Sequence, residues 1–569
     1  MASIKRRCCF RLILIAPILL LSATNLSAQT PDARTKPTGM ISGRVTIGEK
    51  PASGILVVAS GTNSSTPTAQ TTSDADGNYR IGGLAAGQIN VTPVAPVYVV
   101  PASTMFGQGR VVNLSANETV EGIDFKLTRG GVITGRITDA EGRPIIEERV
   151  TLLFVDDNGA PVRGPSVRPS NFMMNQTDDR GVYRIYGLPA GHYKVSAGSD
   201  PGGASMRASG NYQKVYYPDA SEVAKAAIID VSAGGETKNI DIKLGRQTTV
   251  YAVTGRIIDA DSGQPLPGVY FSVGAVQQNQ NQSYVSGTSG PSSPTNSLGE
   301  FRMEGLSPGR YVLVLNPSNF NPNATSAPKV YSDPVPFEIL EGDVTNLEVK
   351  AQRGLSISGV VIPEGITDKT VLAKISNVLL DGRVQPAPNT INIFMGGVTT
   401  RVGADGSFVL DGLSPGKVSI GLGYRGPDFP GFKISRIESE GVTQNRYVDL
   451  APGQNISGLK VYLSYGTGVV RGQLKVEGGT LAADAVIFIS LMRPGGASVS
   501  NSQVDSRGRF LIKGIPAGTY EVTMQIASFG SQTAFPRQPP RRQQQTVTIA
   551  DGIETEVFFT LDLTRKDVP

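Results

Sequence analysis

The chain has 569 residues, among them 67 glycines, 38 prolines, one histidine and two cysteines, and its formal net charge is +5. This length predicts several domains of roughly 100–200 residues each. The many glycines, prolines and β-branched residues favour an all-β protein rich in turns, and no window keeps a helical apolar period for long. A zinc site built from His and Cys ligands is excluded, because the chain has one histidine and both of its cysteines, Cys8 and Cys9, lie in an N-terminal segment that we expect to be removed.

The first 28 residues have the pattern of a secretory signal peptide. Four basic residues precede or enter an apolar run at 12–21, and Leu26-Ser27-Ala28 provides a small-residue cleavage site. An uncleaved anchor is the alternative, although the run is shorter than the roughly 20 residues of a spanning helix. Cleavage would remove both cysteines, Cys8 and Cys9, and lower the net charge from +5 to +1. We therefore expect an extracytoplasmic protein (periplasmic, cell-surface or secreted) without disulfides, nucleic-acid partner or membrane span.

After a polar lead-in, five modules follow one another. Each module opens on an apolar strand with a central glycine, which suggests a bulge or the close approach of a neighbouring strand. These glycines are Gly43, Gly135, Gly255, Gly359 and Gly472. The predicted module boundaries are 39–128, 129–245, 246–353, 354–464 and 465–564.

A segment of about 17 residues recurs in the middle of every module, and it organises the chain. The copies begin near residues 74, 179, 296, 403 and 505, and each has three glycines with fixed spacings of six and four. A spacing kept in five copies indicates one repeated structural unit. The opening Asp or Asn and the first glycine predict a turn. Alternating apolar residues then predict a strand, a tight corner at G-L-x-x-G and a second strand, which we interpret as a hairpin whose corner leucine plugs the core.

Every module ends on another alternating strand. These closing strands are predicted at 123–127, 240–244, 347–351, 459–463 and 557–561. About seven strands in roughly 100 residues, with frequent turns, predict a two-sheet Ig-like or prealbumin-like sandwich. The joints between modules are a few residues long, so we expect the five sandwiches to form a semi-rigid rod.

The opening φ-x-G-R-φ, the central D-x-x-G-x-F/Y-x-φ-x-G-L-x-P/A-G-x-Y and the closing strand resemble the carboxypeptidase regulatory-like domain. The resemblance covers nearly the whole mature chain five times over. It implies a prealbumin-like β-sandwich, often grouped with carbohydrate-binding-like folds, and an accessory role without peptidase activity. Module 4 departs most from the pattern, because Val360 replaces the arginine after its opening glycine and residues 363–389 are irregular.

A long insertion separates the repeated segment from the closing strand in every module, at about 93–110, 198–227, 316–336, 421–446 and 527–545. These insertions carry aromatic residues and should leave the same end of each sandwich, where binding loops usually lie. The aromatics alternatively fold back on their own module. The candidate binding residues are Tyr212, Tyr216, Tyr217, Tyr331, Tyr424, Phe429 and Phe432.

The sequence shows no constellation of acid, base, nucleophile or metal ligands. His192 is alone, and Glu147 and Glu148 are interpreted as solvated turn charges. We therefore expect no catalytic residue, no metal and no cofactor. The expected function is a non-catalytic exported binding or scaffold protein that contacts glycans or the cell envelope through the insertion aromatics, although the chain lacks tryptophan. The alternative is a structural stalk or adaptor with a protein partner in the envelope. The oligomeric state is left open.

Overall fold

The computed structural model describes residues 38–564, apart from 62–66, 101–108, 163–174, 200–211, 279–282, 290–293, 316–327, 386–396, 424–430, 445–446, 482–484, 495–497 and 529–542. Within these residues nearly all regular structure is β-strand. The exceptions are one helix, α1 (Lys369–Leu372), and two single turns of 3-10 helix at Val223–Lys225 and Ile375–Asn377. The all-β prediction is confirmed. The signal peptide lies outside the described residues.

The strands of the first two modules form two sheets in each module. In module 1 they are β1 (Thr38–Ile47), β2 (Lys50–Pro51), β3 (Leu56–Gly61), β4 (Ala69–Thr72), β5 (Asn78–Ala85), β6 (Gly87–Val94), β7 (Tyr98–Val99), β8 (Arg110–Leu114), β9 (Thr119–Val120) and β10 (Phe125–Arg129). In module 2 they are β11 (Gly131–Thr138), β12 (Thr151–Val155), β13 (Val182–Leu188), β14 (Gly191–Ala197), β15 (Val215–Tyr216), β16 (Ile229–Val231), β17 (Glu236–Thr237) and β18 (Ile242–Lys243). Strands β3, β4, β6 and β8 form one sheet of module 1, and β12, β14, β15 and β16 form one sheet of module 2.

The last three modules keep this division. Module 3 contains β19 (Tyr251–Asp259), β20 (Phe271–Gln278), β21 (Ser283–Ser289), β22 (Glu300–Leu306), β23 (Gly309–Leu315), β24 (Val330–Tyr331), β25 (Val335–Ile339) and β26 (Val344–Arg353). Module 4 contains β27 (Leu355–Glu364), β28 (Leu379–Val384), β29 (Val398–Arg401), β30 (Ser407–Leu413), β31 (Gly416–Gly423), β32 (Phe432–Ser439), β33 (Val442–Gln444), β34 (Val448–Leu450) and β35 (Ile456–Tyr465). Module 5 contains β36 (Gly468–Glu477), β37 (Ala485–Met492), β38 (Ser498–Gln503), β39 (Arg509–Ile515), β40 (Gly518–Ser528), β41 (Gln543–Ile549) and β42 (Glu554–Asp562).

The pairing of the first strand is the same in all five modules. It runs antiparallel to the first strand of the repeated segment and parallel to the closing strand, as β36 does with β39 and β42. The second strand of the repeated segment belongs to the facing sheet, where β40 pairs with β37. The two strands of the repeat are therefore not hydrogen-bonded to each other. The predicted hairpin is wrong, and the repeat is an arch that crosses from one sheet to the other.

The corner of this arch explains the glycines and the leucine of the repeat. The second glycine of each copy has φ between 70° and 93°, and the third between 142° and 158°, so both lie in conformations that side chains disfavour. The residue after the second glycine points into the sandwich, as predicted, and is at most 2% exposed in every copy. These plugs are Leu84, Leu188, Leu306, Leu413 and Ile515.

The opening glycine of every module allows the closing strand to approach. A β-carbon on this glycine would lie 1.8–2.1 Å from the carbonyl oxygen of the matching closing-strand residue. In modules 1 and 2 the same oxygen, of Ile123 or Ile240, accepts a hydrogen bond from the buried hydroxyl of Tyr79 or Tyr183 at 2.5 and 2.6 Å. The predicted close approach is confirmed, and the glycine permits the parallel pair at the centre of the sheet.

The described residues contain five hydrophobic cores, and the buried residues of each core fall within one predicted module. Each core takes side chains from both sheets, which is the packing expected of a β-sandwich. Module 4 differs as anticipated, because α1 and the following 3-10 turn occupy its irregular segment and bury Val371 and Ile375. Among the described residues, no helix is long and apolar enough to cross a membrane.

Modules 1 and 5 touch each other through direct side-chain contacts, among them a hydrogen bond from Asn113 to Gln503. Five sandwiches placed end to end would keep the first and last far apart. The predicted rod arrangement is therefore wrong. The chain returns on itself because polar side chains on the two outer modules form complementary contacts, described below.

Candidate functional site

The candidate aromatics of module 2 lie against their own sandwich. Tyr212 and Tyr217 pack on the module 2 core, and burial raises the pKa of Tyr212. Tyr216 is half-buried in β15, whose backbone pairs with Ser196 and Ala197 of β14. Tyr424 and Phe429 lie outside the described residues. Residues 212–217 of the module 2 insertion thus fold back on the module, which was the alternative to a binding loop.

Two further candidates lie at joints between modules. Tyr331 is half-buried, packs against the module 4 core and donates a hydrogen bond from its hydroxyl to Gln352. Phe432 is 1% exposed and meets the Tyr465 ring edge-on, with 5.0 Å between ring centroids. Phe432 as a surface binding residue is wrong, because its alternating strand turns it into the core.

The insertions of modules 1, 3 and 4 contribute a short strand that pairs with the end of the closing strand, immediately before the joint. We call β7, β24 and the start of β32 the bracing strands. They pair at Arg129 with Tyr98, at Arg353 with Val330 and at Tyr465 with Phe432. The two-residue strands would be unstable alone, so the joint and the insertion support each other.

A glycine at each braced joint contacts the modules on both sides of the joint. The N–H groups of Gly130, Gly354 and Gly466 donate to insertion carbonyls of the preceding module at 2.8–2.9 Å. A β-carbon on any of the three would lie 2.4–2.6 Å from backbone atoms of Gly187, Gly412 or Gly514 in the following module. Those partners are the corner glycines of the repeat. In modules 2, 4 and 5 the repeat therefore forms the arch and also packs against the joint that precedes the module.

The joint between modules 2 and 3 has different geometry. Strand β15 of the module 2 insertion pairs with β14, and β18 pairs with β11. Residues 245–250 lie outside the strands, and a β-carbon on Gly245 would meet no atom within 4 Å. In the described residues this joint lacks a bracing strand, so we expect it to be the most mobile of the four.

Modules 1 and 5 meet where the edge strand β8 lies against the turn before β39. Asn113 is 3% exposed, and its side-chain amide donates to the carbonyl oxygens of Gln503 and Arg509 at 3.0 and 2.8 Å. Its backbone N–H donates to Asp505 Oδ2 at 3.1 Å. Gln88, across the strand pair from Asn113, donates to Ser502 Oγ at 2.9 Å. Each buried polar group here has a partner from the other module, as a stable polar contact requires.

An ion-pair cluster borders this contact. Glu118 Oε1 accepts from Arg507 Nη1 at 3.1 Å and from Arg509 Nη1 at 2.6 Å. Burial disfavours the charge on Glu118, but the Ser115 N–H and the two arginines outweigh it and hold the pKa of Glu118 below its ordinary 4.5. Arg507 Nη2 bridges the Asn113 carbonyl and Asp505 Oδ2. We call these contacts of Gln88, Asn113 and Glu118 with residues 502–509 the 1–5 interface.

Asp505 has two roles that the sequence did not separate. Its Oδ1 accepts from the Arg507 and Arg509 N–H groups and forms the predicted turn. In the second copy this turn acceptor is Asp178, one residue before the predicted start. The other oxygen of Asp505 reaches module 1. A signal was present in the sequence, because only the fifth copy carries two arginines flanking its first glycine.

Two further polar groups of module 2 occupy ordinary structural positions. His192 Nδ1 lies 2.5 Å from Asp230 Oδ1, and the ring is partly exposed. Glu148 is 5% exposed and accepts from the Gly198 N–H, so its interpretation as a solvated turn charge is wrong. Among the described residues, no three His, Cys, Asp or Glu side chains are grouped to hold a metal ion.

No protein-family model and no curated protein matches this chain by sequence. Solved structures give distant similarities. The Streptococcal ancillary pilin is 12% identical over 55% of this chain and 98% of its own, with a TM-score of 0.24. The minor pilin GBS52 of Streptococcus agalactiae is 18% identical over 39% and 95%, with a TM-score of 0.20. The Bacillus anthracis TIE protein is 12% identical over 73% and 69%, with a TM-score of 0.15. TM-scores this low carry no information about function.

Proposed function

We propose that this chain is an exported, non-catalytic structural protein of the cell envelope, a scaffold or adaptor that contacts other proteins. The observation that carries the proposal is the use of the insertions. Three of them brace a joint between modules, which is a structural task, where the sequence had suggested ligand binding. The proposal keeps the five predicted modules, the extracytoplasmic location and the absence of a cofactor.

The aromatic side chains support this choice over glycan binding. Sugar stacking needs an exposed ring face. Of the five candidate aromatics within the described residues, Tyr212 and Tyr217 pack on the module 2 core, and Tyr331 and Phe432 pack at joints. Tyr216 is not among the residues that pack on a core, so among these five side chains its removal should disturb the fold least.

Polysaccharide pull-down and a glycan array on the mature chain test the proposal. We expect no polysaccharide to be retained, and we expect cross-linking in the envelope to recover a protein at fixed stoichiometry. Retention of a polysaccharide by wild type that is lost in Tyr216→Ala would instead establish glycan binding. Tyr186→Ala is the matched control, because Tyr186 is a half-buried tyrosine of module 2 outside the insertion.

A further inference from the structure

The 1–5 interface joins two different surfaces. Module 1 contributes an edge strand and the following turn, and module 5 contributes the turn before β39. A contact between unlike surfaces is heterologous, so the same pair of surfaces also fits between separate molecules. Nothing in the described contacts requires both surfaces to belong to one chain, since Asn113 and Gln503 are 390 residues apart.

Separation of the two surfaces leaves the modules intact. The side chains that form the contacts across the 1–5 interface are polar, and none of them is a buried residue of the module 1 or module 5 core. Water replaces the lost hydrogen bonds once the surfaces part, so opening requires no unfolding of a sandwich. Residues 245–250 between modules 2 and 3 lie outside the strands and are exposed apart from the half-buried Thr248, so we expect the chain to open there.

We propose that the 1–5 interface also forms between two copies of this chain, with module 1 of one copy bound to module 5 of the other. The inference rests on the proposed structural function and names a partner for its interface. In one molecule the two surfaces are held at an effective concentration that favours closure. Closure in cis therefore competes with head-to-tail association, and a change that prevents closure in cis exposes both surfaces for association.

Two variants, each defective at one half of the interface, separate these possibilities. Glu118→Lys places a cation opposite Arg507 and Arg509 while its module 5 stays intact. Arg507→Ala with Arg509→Ala removes both cations while its module 1 stays intact. Both closure in cis and self-association should be weakened in each variant, but the intact halves of the two variants are complementary. Mixing them should create the interface only between different molecules.

Small-angle scattering and sedimentation equilibrium provide the readout, at concentrations up to about 0.5 mM, below the millimolar effective concentration of a linked pair. Each variant alone should be a monomer with a larger maximum dimension than wild type. The equimolar mixture should approach twice the monomer mass. Glu121→Lys and Arg180→Ala are matched controls, because Glu121 is exposed nearby and Arg180 occupies the equivalent turn of module 2.

The outcomes distinguish the two proposals. If the single variants expand and the mixture stays monomeric, association in trans is refuted while the closed scaffold stands. If neither variant expands, the 1–5 interface does not hold the chain closed, and the inference is refuted, while the proposed structural function, which rests on the bracing strands, is unaffected. Dimerisation of the mixture, without dimerisation in mixtures that contain a control, supports the inference.

Discussion

The opening glycine shows how one missing side chain determines the centre of each sandwich. In module 1, a β-carbon on Gly43 would lie 2.1 Å from the Ile123 carbonyl oxygen and 2.5 Å from the Ile123 carbonyl carbon, and these backbone atoms cannot move aside as the end of a flexible side chain could. The same oxygen accepts the Tyr79 hydroxyl, so displacement of the closing strand would also break that buried hydrogen bond. The glycine is therefore required by the parallel pairing of β1 with β10.

Gly43→Ala should lower the free energy of unfolding of module 1 by about 1–3 kcal/mol or more, the usual cost of overpacking a tight site. Chemical denaturation followed by tyrosine fluorescence would measure the change. Gly82→Ala is the control in the same module, because a β-carbon there meets no atom within 4 Å. Equal effects of the two substitutions would show that the close approach is not what requires the glycine.

The corner leucine gives a second residue-scale prediction. Leu188 is fully buried between the sheets of module 2, so Leu188→Ala should cost about 2–5 kcal/mol through lost burial and the cavity left behind. Leu298, 54% exposed in a turn of module 3, is the contrasting leucine. Leu298→Ala should change the melting of the chain little. A mild effect at Leu188 would mean that the arch tolerates an empty corner.

Most residue positions inside the elements were predictable, whereas strand partners were not. Alternation correctly identifies Tyr183 and Ile185 as inward-facing, because side chains of a strand alternate between its two faces. It is silent about which neighbouring strand the backbone pairs with. The repeat therefore resembled a hairpin, although β13 pairs with β11 and β14 pairs with β12 in the other sheet.

The insertions show the same limit at the scale of elements. Their length and their aromatic residues suggested binding loops, yet Tyr98 and Val330 pair with the ends of closing strands. Such pairs involve two residues each, too few for an alternating pattern to be visible in sequence. The sequence indicated that the joints are short. It did not indicate that the joint glycines contact the corner glycines of the next module, because that contact depends on how the two neighbouring modules pack.

Limited trypsin digestion tests the difference between the joints. Arg129, Arg246 and Arg353 are all exposed, and each lies beside a joint. Arg129 and Arg353 belong to paired strands, whereas Arg246 lies outside the strands. Proteolysis requires a locally opened backbone. Among these three sites, cleavage after Arg246 should come first, as measured by fragment mass over time. Equal rates at the three sites would contradict the role of the bracing strands.

At the scale of the whole molecule, the two arginines that flank Gly508 set the fifth copy of the repeat apart in the sequence, but nothing in the sequence indicated that they contact module 1. Asn113 reads as an ordinary polar residue in an edge strand, and Asp505 as an ordinary turn residue. Their complementarity appears only after both sandwiches are folded and brought together across 392 positions of sequence. Local patterns define each sandwich, but the relation between distant sandwiches depends on surface side chains without a repeating signature.

The ion pairs of Glu118 make the closed arrangement sensitive to acid. Although burial disfavours its charge, the pKa of Glu118 lies below 4.5, partly because of the Ser115 N–H in its own module and partly because of Arg507 and Arg509 in module 5. The attraction of the two arginines acts in the closed form, and this contribution is lost as the pH falls through the lowered pKa. Arg507 and Arg509 are the cationic side chains that face Glu118, and Asp505 is the other carboxylate that faces Arg507. The maximum dimension in small-angle scattering should therefore increase between about pH 7 and pH 3.5.

Glu118→Gln isolates this contribution from the titration of other carboxylates. The variant lacks the titrating group, so it should already be more open near neutral pH and should expand less on acidification than wild type. The introduced amide oxygen can still accept hydrogen bonds from the arginines, so the substitution removes the attraction between the carboxylate charge and the two guanidinium groups while it keeps a hydrogen-bond acceptor. Superimposable pH profiles for the two proteins would place the acid sensitivity elsewhere, and the ion pairs at Glu118 would then not be what keeps modules 1 and 5 together.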